Sequence, residues 1–553
     1  MRVRGKLFKL VPLVAVLGLT LAASSAVLGG SDENAIVFGG SDDPAALDGA
    51  LVSDGESLRV IDQMFEGLVG LAPGSTRITP ALATRWRATN GGRTWNFDLR
   101  QGVRFHDDTP FNAQAVCFNF NRWYNFRGSF QSPDATYYWQ TVFGGFRRPE
   151  KGSPKGSLFR SCQALGQNRV RIKLVRPSGS FLGALSLTAF SIASPTALRQ
   201  YQADVGRVDA DGVFRPTGTY ATEHPTGTGP YRFVSWNRGN RLELARNDTY
   251  WGRKARLERL IFRPIDNNAA RLQALQTGEV QGYDLVAPED IRTINNNRTL
   301  KTLDRPAFNV AYVGINQAMA PMNNPLVRQA VAYGLNREQV VRNFYGGRAE
   351  VAHAFMPPSV VGYARNVKRY SYNPDRARQL LRQAGLTLPV RIEFWYPSNV
   401  SRPYMPDPRR NFEAFAASLE RAGFEVVPKT AQWSPEYLSA VDTGKAGHLR
   451  LLGWTGDYGD PDNFIGTFFQ APQAAWGFRN PALHNLLDRA ETEANQARRT
   501  ALYQQANRLI AQFLPGVPYA HSRPALGFQR RVLGYVPSPV SLESFAAVRY
   551  GGR

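Results

Sequence analysis

The sequence predicts an α/β protein with more than one core, and three observations carry that reading. Apolar residues make up 43% of 553 residues with no long low-complexity tract, which excludes a wholly disordered chain and allows two or three cores of ordinary domain size. Turn-linked strand signals dominate the first part of the chain. From about residue 265 strands alternate with helices, the pattern of an α/β domain.

Taken in order, residues 86–88 and 94–99 flank Asn90-Gly91-Gly92, and Trp95, Phe97 and Leu99 alternate, so this stretch predicts a β-hairpin. Residues 112–123 read as a helix carrying Cys117, and Cys162 precedes a strand at 169–175. Asn324 and Pro325 sit at N-cap and N1 of a helix bearing Leu326, Val327, Ala330 and Val331, and Asn336 with Gln339 opens the next as a capping box. Asn373-Pro374 opens another, with Ala377, Leu380, Leu381 and Ala384 on one face and Gly385 as its stop. Val390, Ile392 and Phe394 alternate with Arg391 and Glu393 as a strand, residues 396–408 form a loop, and Phe412, Phe415, Ala416 and Leu419 line a helix ended by Gly423. A strand at 424–427 follows. A helix then opens at Ser434-Pro435, and an apolar strand at 449–454 runs into a loop at 455–464. Arg402 and Asp457 therefore both fall just past the C-terminal ends of strands in one α/β domain, where open sheets place their ligands.

The N-terminus carries an export signal. Arg2, Arg4, Lys6 and Lys9 precede an apolar stretch at 10–23 and the small residues Ser24-Ser25-Ala26. The alternative is an uncleaved anchor, since residues 10–30 are uncharged over about the length that spans a bilayer. Cleavage of 1–26 takes away four positive charges and no negative one, leaving +19 of the formal +23. Export places the protein in the periplasm or on the outer face of the cytoplasmic membrane, and in an oxidising compartment Cys117 and Cys162 most simply pair with each other.

The net charge raises nucleic acid as a partner, but Arg supplies 57 of the 67 basic residues and they are scattered singly, with no basic block and no nucleic-acid motif, so nucleic acid is not expected. Neither is catalysis. The six histidines show no metal-ligand spacing, no Gly-x-Ser-x-Gly or His-Glu-x-x-His occurs, and no metal or cofactor is expected. Gly227-Thr228-Gly229 is followed by Pro230, which lacks the N–H a phosphate cradle needs, and reads as a turn. Asp460 and Asp462 have local capping and turn roles.

A set of motifs recurs in a fixed order: Phe65-Glu66-Gly67-Leu68, Pro80-Ala81-Leu82-Ala83, Leu99-Arg100-Gln101-Gly102-Val103-Arg104-Phe105-His106, Gly227-Thr228-Gly229-Pro230-Tyr231, Leu272-Gln273-Ala274-Leu275-Gln276-Thr277-Gly278-Glu279-Val280 and Val327-Arg328-Gln329-Ala330-Val331. Across nearly all of residues 35–550 this resembles the peptide-binding branch of the extracellular solute-binding proteins of ABC importers, family 5. Two more stretches look like its dipeptide-binding members: Arg402-Pro403-Tyr404 with Pro406 and Arg409-Arg410, and Gly453-Trp454-Thr455-Gly456-Asp457 continuing through Asp460-Pro461-Asp462-Asn463-Phe464. Met405 and Asp407 depart from the pattern expected beside Arg402, and the loop between the two charges is slightly longer.

The resemblance implies a two-lobed periplasmic-binding-protein fold with a hinge and an enlarged first lobe carrying an extra β-rich subdomain. On this reading lobe I covers 36–264 with the subdomain around 80–215, lobe II covers 265–517, and 518–553 returns to lobe I, the first crossing strand lying at 260–265. It also implies a monomer that captures di- or short oligopeptides and delivers them to membrane permease subunits. Asp457 would bind the peptide ammonium and Arg402 its carboxylate, with Tyr404, Trp454 and Gly456 beside them. The alternatives are the same fold binding haem, a metal chelate or an oligosaccharide, and an exported peptidase.

Overall fold

The computed structural model describes residues 34–551 apart from 133–134 and 210–213, so the export signal expected at 1–26 lies outside the described residues. The first strand, β1 (Ala35–Gly40), is followed by helix α1 (Gly55–Met64), whose N-cap Asp54 accepts from the Ser57 N–H at 2.8 Å. The expected hairpin forms next as β2 (Ala83–Thr89) and β3 (Thr94–Leu99), and its turn holds Asn90, Gly91 and Gly92 at positive φ, which the two glycines adopt without steric cost. Helices α2 (Ala113–Tyr124) and α3 (Tyr137–Phe143) and strands β4 (Phe159–Ala164) and β5 (Arg169–Leu174) complete a β-rich insertion whose antiparallel sheet runs β2-β3-β5-β4. Its inner face packs Phe97, Phe159 and Ile172 with Phe120 of α2 in one core, and Cys117 of α2 is disulfide-bonded to Cys162 of β4.

Strands β6 (Tyr231–Asn237), β7 (Arg241–Arg246), β8 (Arg259–Pro264), β9 (Gly282–Tyr283) and β10 (Leu300–Asp304) build the first large sheet around β1, with β8 and β9 parallel to it on either side. The Gly227–Gly229 turn packs against the C-terminal end of α1. A Cβ on Gly227 would sit 2.2 Å from the Met64 carbonyl, and the Gly229 N–H donates to that same oxygen, so its glycines serve close backbone packing.

The chain then crosses to a second sheet. β11 (Asn309–Ile315) is buried at every position, as expected of a strand covered on both faces. Helices α4 (Pro325–Gly334), α5 (Arg337–Phe344) and α6 (Pro374–Gln383) carry the expected caps: Asn324, Asn336 and Asn373 each accept from a backbone N–H of the first turn. With β12 (Ala349–Val351), β13 (Val390–Ser398), α7 (Pro408–Arg421), β14 (Phe424–Gln432), β15 (Leu449–Thr455), α8 (Pro481–Thr492), α9 (Gln496–Phe513) and β16 (Gly516–Ser522), the second sheet runs β12-β16-β11-β15-β13-β14. β17 (Ala525–Gln529) returns to the first sheet, which runs β6-β7-β8-β1-β9-β17-β10.

Passage between the sheets thus falls at residues 305–308 and 523–524, not at 260–265 and 518. The physical reason is strand pairing. β10 pairs with β17 from Leu300↔Gln529 to Asp304↔Ala525, which keeps residues up to 304 in the first sheet, and β16 pairs with β11, which keeps residues up to 522 in the second. β13 and β14 also run further than the alternation suggested, because they pair in parallel from Val390↔Phe424 to Ser398↔Gln432. Pro397 is tolerated there since β15 pairs with β13 only at Phe394 and Trp395, leaving one side of the strand without a ladder.

The first crossing is tied down by charge. Arg305, 1% exposed, bonds Glu543 through Nε at 2.6 Å and Asp284 through Nη1 at 2.5 Å, and Arg59 of α1 also pairs with Asp284. Burial alone would raise the Asp284 carboxyl; Arg305 and Arg59 override it and hold it well below the usual carboxylate range.

Candidate functional site

β13 and β15 are parallel neighbours, so the chain leaves both at the same end of the second sheet. The loops that follow carry Arg402 and Asp457, as the strand pattern had placed them.

Asp457 is held from its own loop and from the insertion. Asn463 accepts from its backbone N–H at 2.7 Å and donates to Oδ2 at 3.1 Å, while the hydroxyl of Tyr138, on α3 of the insertion, donates to Oδ1 at 3.0 Å. Burial pushes the carboxyl up to about 6, against these two side-chain hydrogen bonds, which favour its charged form. Among the described residues no Lys, Arg or His pairs with it.

Arg402 turns back on its own loop. Its backbone exchanges hydrogen bonds with Met405 at 3.1 and 2.9 Å, and its guanidinium lies over the Trp433 ring, 4.8 Å from the centroid. Nε is buried without a hydrogen-bond partner, and no carboxylate forms an ion pair with this arginine among the described residues. Tyr404 supports it from beneath: the ring packs where a Cβ on Gly453 would lie 2.3 Å away, its carbonyl accepts from the Tyr345 hydroxyl at 2.8 Å, and burial raises its phenol while the Arg402 charge opposes that rise.

Trp454 is half-buried, edge-on to Phe468 at 5.8 Å, with Nε1 directed at Asn463 Oδ1, 3.5 Å away. Gly456 donates its N–H to the Phe308 carbonyl at 2.9 Å, and a Cβ there would stand 2.3 Å from Phe308 and 2.5 Å from Phe464. Its N–H is therefore committed to the chain segment that leaves the first crossing. Asp460 caps the turn that follows, accepting from the Asp462 N–H at 2.9 Å, and also grips Arg499 with both oxygens at 2.7 and 2.8 Å. Burial, reinforced by Glu491 and Asp460, lifts Asp462 to about 7.

Three residues of this constellation escaped the sequence. Asn463 lies within the Asp-Pro-Asp-Asn stretch, whose local signal is that of a turn. Trp433 and Tyr138 carried no local signal, the latter standing 319 positions from its partner. Among the described residues no group of three or more His, Cys, Asp or Glu side chains is placed to hold a metal ion.

A model of the bacterial extracellular solute-binding proteins, family 5 (middle), matches residues 77–476. The chain belongs to that family. A dipeptide-binding protein of Escherichia coli K12 is 29% identical to this family 5 protein over 545 residues, which cover 96% of this chain and 97% of the relative. Heme-binding protein A of Haemophilus influenzae is 29% identical over 565 residues, 97% of this chain and 99% of that one. An ABC transporter-associated periplasmic binding protein of Helicobacter pylori, solved in complex with the peptide STSA, superposes with a TM-score of 0.78 at 27% identity, over 94% of this chain and 98% of the other. The α/β architecture of this protein is the two-lobed one of such binding proteins, and no described helix is long and apolar enough to cross a membrane.

Proposed function

We propose that this protein is an exported, monomeric receptor that captures di- and short oligopeptides between its lobes and hands them, unaltered, to an ABC permease in the cytoplasmic membrane. Lobe I is taken as residues 34–304 with 525–551, and lobe II as 309–522, following sheet membership. The observation that carries the reading is the pair of uncompensated charges. Among the described residues Arg402 and Asp457 have no ionic partner of their own; they stand beyond adjacent parallel strands, both half-buried, with Arg402 Nε fully buried.

A free peptide is a zwitterion. Its ammonium on Asp457 and its carboxylate on Arg402 would satisfy both groups, and a ligand lacking either end would leave a buried charge alone, which costs several kcal/mol. Arg402 suits a planar carboxylate because its guanidinium is already oriented on Trp433. Tyr138 reaches Asp457 from the other lobe, so closure about the two crossings completes the ammonium site. The haem-binding and dipeptide-binding relatives share the fold at equal identity, so the ligand class rests on the two charges and not on resemblance.

Calorimetric titration with a panel of di-, tri- and longer peptides, with product analysis, tests this. Saturable binding of short peptides without turnover is expected. Silence towards every peptide refutes the peptide ligand, and hydrolysed product refutes the receptor role.

A further inference from the structure

The insertion's sheet has two unlike faces. Inward-pointing positions carry Trp86, Phe97, Val170 and Ile172, packed in the core with α2. The register fixes what points outward: one row across the strands is Arg85, Asp98 and Arg169, the next is Arg87, Asn96 and Arg171, and the third pairs Thr94 with Lys173. Five cations and one carboxylate share this face. Asp98 is divided between Arg85 and Arg169, at 3.1 Å from each, and those two side chains remain 80% and 60% exposed. Among the described residues Arg171 is met by the neutral Asn96 oxygen, at 2.9 Å, and by no carboxylate.

With strands about 4.8 Å apart and same-face residues about 7 Å apart, the five cations fall within a square of roughly 15 Å a side. That is less than two Debye lengths at physiological salt, so they act together as one positive surface. The face offers no apolar residue at these outward positions, whereas a protein interface is organised around an apolar or aromatic centre. A two-dimensional lattice of anionic headgroups matches its charge, which is spread over three strands rather than along one line.

We propose that this sheet face docks on anionic phospholipid, holding the receptor against the membrane surface with its cleft free. The site is independent of Arg402 and Asp457, and the proposal stands or falls apart from the peptide reading.

The test is co-sedimentation of the full chain with phosphatidylglycerol–phosphatidylcholine vesicles against pure phosphatidylcholine vesicles. The ratio of the two is the readout, which divides out any apolar insertion by residues outside the described structure. The anionic preference should weaken as salt is raised. Arg87→Gln/Arg171→Gln/Lys173→Gln should lower it about a hundredfold, the product of three headgroup attractions, while a control of equal charge, Arg342→Gln/Arg382→Gln/Arg489→Gln on exposed helix positions, lowers it far less. A cooperative melt of each variant shows that it is folded, and the single variant Arg87→Gln, with a fall of about fivefold, serves if the triple one is not. Three results overturn the proposal: no anionic preference in the parent chain, an equal loss in the control, or retention on soluble DNA without any partition onto anionic vesicles.

Discussion

At the scale of single residues, the two ends of the ligand can be interrogated separately because the two charges sit on different loops. Replacing Asp457 with Asn keeps the Asn463 and Tyr138 neighbours in place and removes only the charge. Free dipeptides should then bind at least thirtyfold more weakly, the lower end of what stranding a buried charge costs, about 2 kcal/mol. N-acetylated dipeptides, which never used that charge, should change little. Arg402→Gln should reverse the pattern, penalising free carboxylates and sparing C-terminal amides. Equal losses for blocked and free peptides in either variant remove that residue from end recognition. Tyr138 acts through Asp457. Its hydroxyl is one of two side-chain donors that favour the ionised carboxyl, so Tyr138→Phe should raise the Asp457 pKa above about 6 and move the pH midpoint of peptide binding upward. A residue that merely packs would weaken binding equally at every pH, and the pH profile of Kd distinguishes the two.

At the scale of elements, the disulfide and the strand pairing carry the insertion that presents Tyr138. Cys117 and Cys162 close a loop of 45 residues, for which chain entropy gives about 4 kcal/mol of stabilisation. Cys117→Ser/Cys162→Ser should lower the denaturant midpoint and expose the α2–β4 region to amide exchange ahead of the second sheet; an unchanged midpoint contradicts a stabilising role. Local signals in the sequence were enough for some of this architecture. Asn324-Pro325, Asn336 and Asn373 announce their helices because a cap is a contact within four residues, and Asn90-Gly91-Gly92 announces its hairpin because a tight turn demands positive φ. The same locality explains the misplaced crossings. Whether residues 300–304 belong to the first sheet depends on Ala525–Gln529, more than 200 positions later, and nothing near them records that partner. The positions of Asp457 and Arg402 past two strand ends were legible because each depends on a strand and loop read locally, whereas the contact of Tyr138 with Asp457 spans 319 positions.

At the scale of the molecule, the buried titrating groups form two opposed sets. Burial raises Asp62 and Asp457 from 3.8 to about 6 and Asp462 to about 7, and it lowers His106, His353 and His521 from 6.5 to about 4. A carboxyl with a raised folded pKa keeps its proton when the unfolded chain has lost it, so it favours the folded state at low pH and that contribution disappears as the pH rises through about 6 to 7. A histidine with a lowered folded pKa contributes above 6.5 and loses that contribution as the pH falls through about 4. Between these limits the two sets oppose each other, and Asp54 and Glu66, which burial also raises, act on the side of the carboxyls. The ligand-free protein should therefore show a melting temperature that is level or falls gently from pH 4 to 7. A peptide ammonium on Asp457 takes that carboxyl out of the first set, because the ion pair keeps it charged. Binding then competes with a proton: affinity should rise about tenfold per pH unit up to about 6 and level off above. Melting curves with and without a dipeptide read this directly, as an increment in Tm that grows from pH 4 to 6 and is constant from 7 to 8. In Asp457→Asn the increment should be small and independent of pH, and a parent protein whose increment is the same at pH 4.5 and 7.5 does not use Asp457 to hold the ammonium.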